Sequence, residues 1–309
     1  MSCNHAEPPL APTEKNDLKP LEDLLVCPIC KGNLRFSADV ISCISCGTAF
    51  PQSRCDSINL LPESAVQNDQ SGWETRQREM ENWYQKLIVR PEGAIKCLTD
   101  DYSAYSSLLQ SLTGTVLDIG GGSGIVRHYL LDRVRYIVID PSLEWINDEW
   151  VAILNSLRPL SRRHPFICGV GEHLPFPTNC IDAALSFWSL NHANDPALIF
   201  REAYRVLRPG GSFIVSLEDM TPGWLDLLMA AFDISGFSHF RKTLKAKIRC
   251  VLKGEDWPVQ NDHMRISETE IHTWSNGIFE LTGRSWVKTY LTLEFRKPDS
   301  SQNEVGRRN

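Results

Sequence analysis

Three groups of residues in this sequence have the types and spacing to do chemistry. The first is cysteine. Cys27 and Cys30 form a C-x2-C pair, and Cys43 and Cys46 form a second after 12 intervening residues. Each pair is closely followed by a glycine, Gly32 and Gly47, which accepts the positive-φ backbone of a turn that aims N–H groups at thiolates. Four thiolates on two such turns suit a tetrahedral Zn2+ with every position filled by protein, so the metal is expected to be structural. A redox C-x-x-C is the poorer reading, because two matched pairs leave no reason for one alone to react. Cys55 lies outside the pattern and reads as an ordinary thiol. The second group is TVLDIGGGSGIV, residues 115–126: β-formers, an acid and clustered glycines, the make-up of a turn that lets backbone approach a bound nucleotide. The third is SFWSLNHAND, residues 186–195, where Trp188, Asn191 and His192 follow an apolar run. His192 is the candidate general base, and Asn191 is the second candidate catalytic residue.

Such residues need elements to position them. From Thr115 onward, apolar strand-length runs (TVLDI, RYIVID, PFICG, IDAALSF, SFIVSL) alternate with helical patterns (SGIVRHYLLD, LEWINDEWVAILNSL, DPALIFREAYRVL). That alternation predicts an α/β fold with a doubly wound, mostly parallel sheet covered on both faces. Ligands of such sheets sit beyond the carboxyl ends of the strands, which is where GGGSG falls. LRPGG, residues 207–211, reads as a turn before the fifth strand, and WVKTYLTLEFRK as a closing strand pair. Ser267 with Glu270 has the capping-box spacing of a helix start. The expected organisation is a loose Pro-rich arm over 1–20, a zinc ribbon over 21–64, a polar linker, and one large domain over 73–297 with an insertion near 219–265. Residues 298–309 read as a tail. Two helices precede the sheet, and their Trp83 and Tyr84 are candidates to cover a cofactor.

The glycines decide between two cofactor classes. A dinucleotide turn wants G-x-G-x-x-G, but starting from Gly120 the third place is Ile125. The stretch fits D-x-G-x-G-x-G instead, with Asp118, Gly120, Gly122 and Gly124. Asp140 ends the second strand 20 residues after Gly120, where a carboxylate can accept both ribose hydroxyls. Together with YIVIDPS, GEHLPFPTNCIDAALSFWSLNHANDP and EAYRVLRPGGSFIVS, this stretch resembles the class I S-adenosylmethionine-dependent methyltransferases, in particular the methyltransferase type 11 group. The resemblance implies a seven-stranded Rossmann-like sheet and S-adenosylmethionine as cofactor. By position it implies that Asp118, Gly120, Gly122 and Gly124 line the methionine side, that Asp140 takes the ribose, and that Gly171 and Glu172 border the adenine. The group usually carries an acid two residues before Glu172; here that place is Val170. The cysteine segment, with the INLLPES that follows it, resembles the N-terminal zinc module of bacterial ribosomal RNA guanine methyltransferases. It is also similar to the small zinc-binding partner of some eukaryotic RNA and protein methyltransferases.

Composition limits the partners. The chain has 309 residues and a net charge of −6, which argues against a protein that coats nucleic acid through bulk charge. No apolar run is long enough to span a bilayer, and ten cysteines without an export signal suggest a reducing, cytoplasmic setting. One local asymmetry stands out: Arg241, Lys242, Lys245, Lys247, Arg249 and Lys253 share a stretch with no acid between Asp233 and Glu255. His263 and Arg265 follow it and are candidates to face the pocket. The stretch reads either as a solvated helix face or as a docking surface for an anionic methyl acceptor. The leading expectation is methyl transfer to a small-molecule or glycan/lipid-linked acceptor. RNA, with the ribbon as clamp, is the less favoured acceptor. A non-catalytic methyltransferase-like scaffold, supported only by Val170, is the third reading.

Overall fold

A computed structural model describes residues 19–37, 39–51, 57–63, 73–157, 164–230, 237–258, 260 and 263–299. Cys55, most of the arm, most of the linker and most of the tail lie outside the described residues.

After a helical turn, α1 (Lys19–Glu22), three short strands build the cysteine module: β1 (Leu34–Phe36), β2 (Val40–Cys43) and β3 (Ala49–Pro51), antiparallel in the order β1-β2-β3. A fourth strand, β4 (Ser57–Asn59), leaves this module and joins the main sheet. Helices α2 (Trp73–Ile88), α3 (Pro91–Ser103) and α4 (Ser106–Ser111) lead into β5 (Thr115–Ile119). Then follow β6 (Arg135–Asp140), α5 (Asp148–Leu157), β7 (Phe166–Cys168), β8 (Ile181–Phe187), α6 (Pro196–Val206) and β9 (Leu207–Leu217). The chain closes with α7 (Trp224–Ala230), α8 (Phe237–Lys253), α9 (Glu268–Ser275), β10 (Glu280–Val287) and β11 (Tyr290–Arg296).

The main sheet runs β10-β11-β9-β8-β5-β6-β7-β4. All pairs from β9 to β4 are parallel, while β11 is antiparallel to both β9 and β10. The sheet therefore has eight strands, one more than the expected seven, and the extra strand comes from the cysteine module. The strand order reverses between β5 and β8, so a crevice opens beyond their carboxyl ends. Alternation along the strands serves two cores. Leu117, Ile119, Ile137 and Ile139 face one apolar layer, while Val116, Tyr136 and Val138 face the other. The first layer is continuous with Leu21, Leu25, Ile41, Phe50 and Leu60, so the cysteine module shares a core with the sheet.

Three local expectations differ from the structure. The segment after the glycine loop is a short 3-10 turn, Ile125–His128, not an amphipathic helix. Gly120, Gly122 and Gly124 all take positive φ, so the backbone spends that stretch turning. The expected helix from Leu143 to Leu157 is split into a 3-10 turn, Leu143–Ile146, and α5. Each piece has its own cap: Ser142 Oγ accepts from the Glu144 N–H, and Asn147 Oδ1 accepts from the Trp150 N–H at 2.9 Å. LRPGG is the irregular start of β9, where the register with β8 shifts. The capping box at Ser267 and Glu270 is present with both hydrogen bonds.

Candidate functional site

The glycine loop leaves β5 at Gly120, whose N–H donates to the Ile139 carbonyl at 2.8 Å. Gly120 has φ +68°, and a Cβ there would lie 2.3 Å from the Cβ of Ser189, because the tip of β8 crosses directly over it. Ser189 fixes that crossing: its hydroxyl donates to the Ile119 carbonyl at 2.8 Å. Gly122 then donates its N–H to Asp140 Oδ2 at 3.0 Å, and Asp140 Oδ1 accepts from the Ser142 N–H at 2.9 Å. Two backbone donors aim the carboxylate while leaving further lone pairs for a ligand. Burial pushes the Asp140 carboxyl up to about 7, against the lowering effect of those N–H groups.

Beyond the loop lies a cavity of 630 Å³, within the range of small-molecule and cofactor pockets (about 300–1,000 Å³). It brings together Gly120, Gly122, Asp140, Gly171, Glu172 and His192 of the sequence-derived set, and also Trp83, Tyr84 and His263. Tyr84 packs edge-on against Trp145 at 4.3 Å between ring centroids. At the far end Trp188, in left-handed backbone at φ +56°, meets Tyr102 and Tyr290 at 4.7 and 4.9 Å. A bulky residue in that backbone region is strained and is held there by its surroundings, as residues at ligand sites often are.

Four expected residues, Asp118, Gly124, Asn191 and Arg265, do not line this cavity. Asp118 is buried beneath the loop and accepts from the Tyr136 hydroxyl at 2.5 Å. Burial pushes its carboxyl up to about 7 as well, and a Cβ on Gly121 would touch it. Asp118 therefore braces the loop from below. Gly124 points toward His164, whose ring a Cβ there would overlap. Asn191 is also buried. Its side-chain amide donates to the Met264 carbonyl at 3.2 Å and the Glu218 carbonyl at 3.4 Å, and its backbone carbonyl accepts from the Met264 N–H at 2.7 Å. It clips the insertion to the tip of β8. Glu172, by contrast, reaches the wall but commits Oε1 to the N–H groups of Asn194 and Asp195 at 2.8 and 3.1 Å. Arg265 is half-exposed and lies 3.9 Å from Asp256.

The polar group that sequence reasoning missed stands at the carboxyl end of β9: Glu218 and Asp219. His263 Nδ1 lies 2.8 Å from Asp219 Oδ2 and Nε2 lies 3.2 Å from Glu218 Oε2, while its ring meets that of His192 edge-on at 4.6 Å. Burial would raise the Asp219 carboxyl, but the bond to His263 and the Gln260 N–H hold it below its usual value. The rule that ligands gather at strand ends was the available signal for these acids.

The cysteine tetrad forms a separate cluster. The four Sγ atoms lie within 4.8 Å of one another, with Cys27–Cys46 at 3.8 Å and Cys30–Cys43 at 3.4 Å. A tetrahedron with Zn–S bonds of about 2.3 Å has edges of about 3.8 Å, so the donor set fits zinc. Burial pushes the Cys27 thiol up to about 12, while hydrogen bonds from Thr48 bring Cys46 down to about 6. Lys31, next to Cys30, reaches out of the module to Glu202 Oε2 on α6 at 2.7 Å, and Val26 donates to the Pro175 carbonyl at 3.0 Å.

Residues 117–215 match the family model described as "Methyltransferase domain". An uncharacterized methyltransferase of Mycobacterium tuberculosis is 32% identical over 123 residues, covering 38% of this chain and 46% of that one. The chloroplastic 2-methyl-6-phytyl-1,4-hydroquinone methyltransferase of Spinacia oleracea is 36% identical over 101 residues, covering 31% and 27%. The chain spans about half the length of the first curated relatives it matches. Among solved structures, the Burkholderia thailandensis 1,6-didemethyltoxoflavin-N1-methyltransferase, bound to 1,6-didemethyltoxoflavin and S-adenosylhomocysteine, aligns with a TM-score of 0.45 at 17% identity, over 85% of this chain and 100% of that one. The glycine loop and Asp140 lie inside the matched segment 117–215, which is similar to the methyltransferase-domain model and is built on a mostly parallel α/β sheet.

Proposed function

We propose that this chain binds S-adenosylmethionine beyond the tips of β5 and β6 and transfers its methyl group to a small acceptor seated between Trp188 and His192. The observation that carries this reading is the single cavity that joins the Gly120–Gly122 turn and the Asp140 carboxylate to an aromatic, histidine-bearing far end. When bound, the cofactor supplies an electrophilic methyl on a sulfonium, and the protein's task is to align a nucleophile with it and exclude water. Asp140 accepts the ribose hydroxyls, and the turn lets backbone pass close to the methionine moiety. Trp188, with Tyr102 and Tyr290 inclined to it at 68° and 50°, forms an aromatic wall that suits an aromatic or extended apolar acceptor. His192 stands at the wall where an acceptor proton must leave. The four cysteines hold a structural zinc that completes the N-terminal module.

RNA remains the second acceptor class, favoured by the basic helix α8. Incubation with cofactor labelled in the methyl group, against small-molecule extract and against total RNA, tests the reading. Label in the extract fraction supports it, label in RNA selects the second class, and no cofactor binding by calorimetry overturns both.

A further inference from the structure

We propose that His192, Glu218 and His263 bind a divalent transition-metal ion at the acceptor end of the cavity. The proposal rests on the cavity reading above for its role in catalysis, but not for the site itself. The three residues offer one ligand atom each, all within 4.8 Å of one another. They come from three separate places: the tip of β8, the end of β9 and the insertion before α9. All three line the cavity.

Proton counting on His263 points to a cation. Asp219 Oδ2 at 2.8 Å from Nδ1 is an acceptor, so Nδ1 carries the hydrogen. If the imidazole is neutral, Nε2 presents a lone pair, and that lone pair faces Glu218 Oε2 across 3.2 Å. Two lone pairs at this distance repel unless a positive centre lies between or beside them. A proton on Nε2 would satisfy that pair alone. A metal satisfies the pair and also accounts for the third donor, His192, standing with them. Two imidazoles and one carboxylate are a donor set for zinc and its first-row neighbours, with positions left open for a further ligand. The Asp219–His263 hydrogen bond is the outer-shell contact that fixes the tautomer and orientation of a metal-bound histidine. Asp219 is itself fixed, accepting from the Gln260 N–H at 2.7 Å.

The chemical class of acceptor follows. A hydroxyl entering an open position becomes more acidic and loses its proton to water. The S–CH3 bond of the cofactor then breaks as the O–CH3 bond forms, giving the methyl ether, S-adenosylhomocysteine and one proton. In that role His192 is a ligand, not the base.

Cobalt(II) is the probe. The full chain, reduced and equilibrated with Co2+, then gel-filtered, is expected to carry an ion with the weak visible bands of nitrogen–oxygen ligation, distinct from the intense charge-transfer band of a thiolate-bound ion. Glu218→Gln and His263→Gln should each remove that ion and leave the thiolate band unchanged, which also reports that the chain has folded. Asp219→Asn, a positioning change, should weaken it by about 10–100-fold. Absence of any nitrogen–oxygen cobalt in the parent, or its survival in Glu218→Gln, overturns the site and leaves His263 as a protonated bridge between two acids. Cofactor calorimetry on the same samples separates the two readings: loss of cofactor binding with cobalt retained defeats the cofactor assignment and spares the metal site.

Discussion

Burial raises the Asp140 carboxyl to about 7, so its ionisation changes across the neutral range. If Asp140 accepts two ribose hydroxyls, as proposed, the ionised form does so best. Cofactor affinity is therefore expected to rise as pH climbs through about 7, and Asp140→Asn should flatten that profile. Asp140→Ala should cost about 1.5–3 kcal/mol of binding, the range for hydrogen bonds to a charged group. Calorimetry across pH checks both. The stability sign is opposite in direction. A carboxyl whose folded value lies above its unfolded one supports the fold fully below the unfolded value and loses that support as pH rises through about 7. The thermal midpoint of the cofactor-free protein should accordingly fall from mildly acid to neutral pH, and less so in Asp140→Asn. The glycines grade in the same way. Gly120→Ala meets both a positive φ and the Ser189 side chain, whereas Gly122→Ala meets the positive φ and only ordinary contact with Trp145 at 3.4 Å. The first should unfold at the lower temperature, the second costing about 1–2 kcal/mol. Asp140 and the glycines were legible because strand end and turn are local signals. The burial of Asp118 was not, since its partner Tyr136 lies on the adjacent strand and no spacing announces it.

Among the elements, α8 carries the charge asymmetry seen in the sequence. Lys245 and Arg249 are exposed, Lys247 lies 5.8 Å over the Trp224 ring, and Arg249 and Lys253 share Glu255. Exposed Ile248, Val251 and Leu252 stand beside them. If this helix docks an anionic acceptor, replacing Lys245, Lys247 and Arg249 with alanine should raise the acceptor KM several-fold at low salt and leave cofactor affinity unchanged. The difference should shrink as salt rises, since exposed charges are screened over about 8 Å at physiological ionic strength. An RNA acceptor would give a steep salt slope and a small anion a shallow one. Steady-state kinetics at two salt concentrations settle this, and unchanged KM in the triple variant reduces the helix to a solvated face. The sequence showed which elements exist where the signal is local, as at the Ser267 capping box. It misled after Gly124, where apolar spacing looked helical but the glycines had already used the chain for turning.

At the scale of the molecule, the cysteine module and the sheet are one unit. Glu202 on α6 accepts from Lys31 at 2.7 Å and from Arg205 Nε at 2.6 Å. Burial alone would raise its carboxyl, but Arg205 and Lys31 hold it below the usual value. Its contribution is thus present above the unfolded carboxyl value and lost in acid. Glu202→Ala leaves two cations facing a buried gap and should cost about 3 kcal/mol, toward the lower end for breaking a buried pair because Lys31 is partly exposed. Changing Cys27 and Cys43 to serine should remove the thiolate-bound metal, seen by elemental analysis, and lower the midpoint of a single unfolding transition rather than erase a separate one. Two C-x2-C pairs announced the module, but nothing in their spacing announced where it docks.

Strand β4 has a consequence for the birth of the protein. It pairs with β7, which is made about 100 residues later, so at roughly 5–20 residues per second it waits on the order of 5–20 s for its neighbour. If the four cysteines hold zinc, as proposed, that metal would hold the N-terminal module together during synthesis before there is a sheet to lean on. A chain made under zinc starvation would finish β7 with its outer backbone groups unpaired, an open edge that invites pairing between molecules. Metal supply during translation would then bear on how much of the chain reaches its paired, closed-edge state.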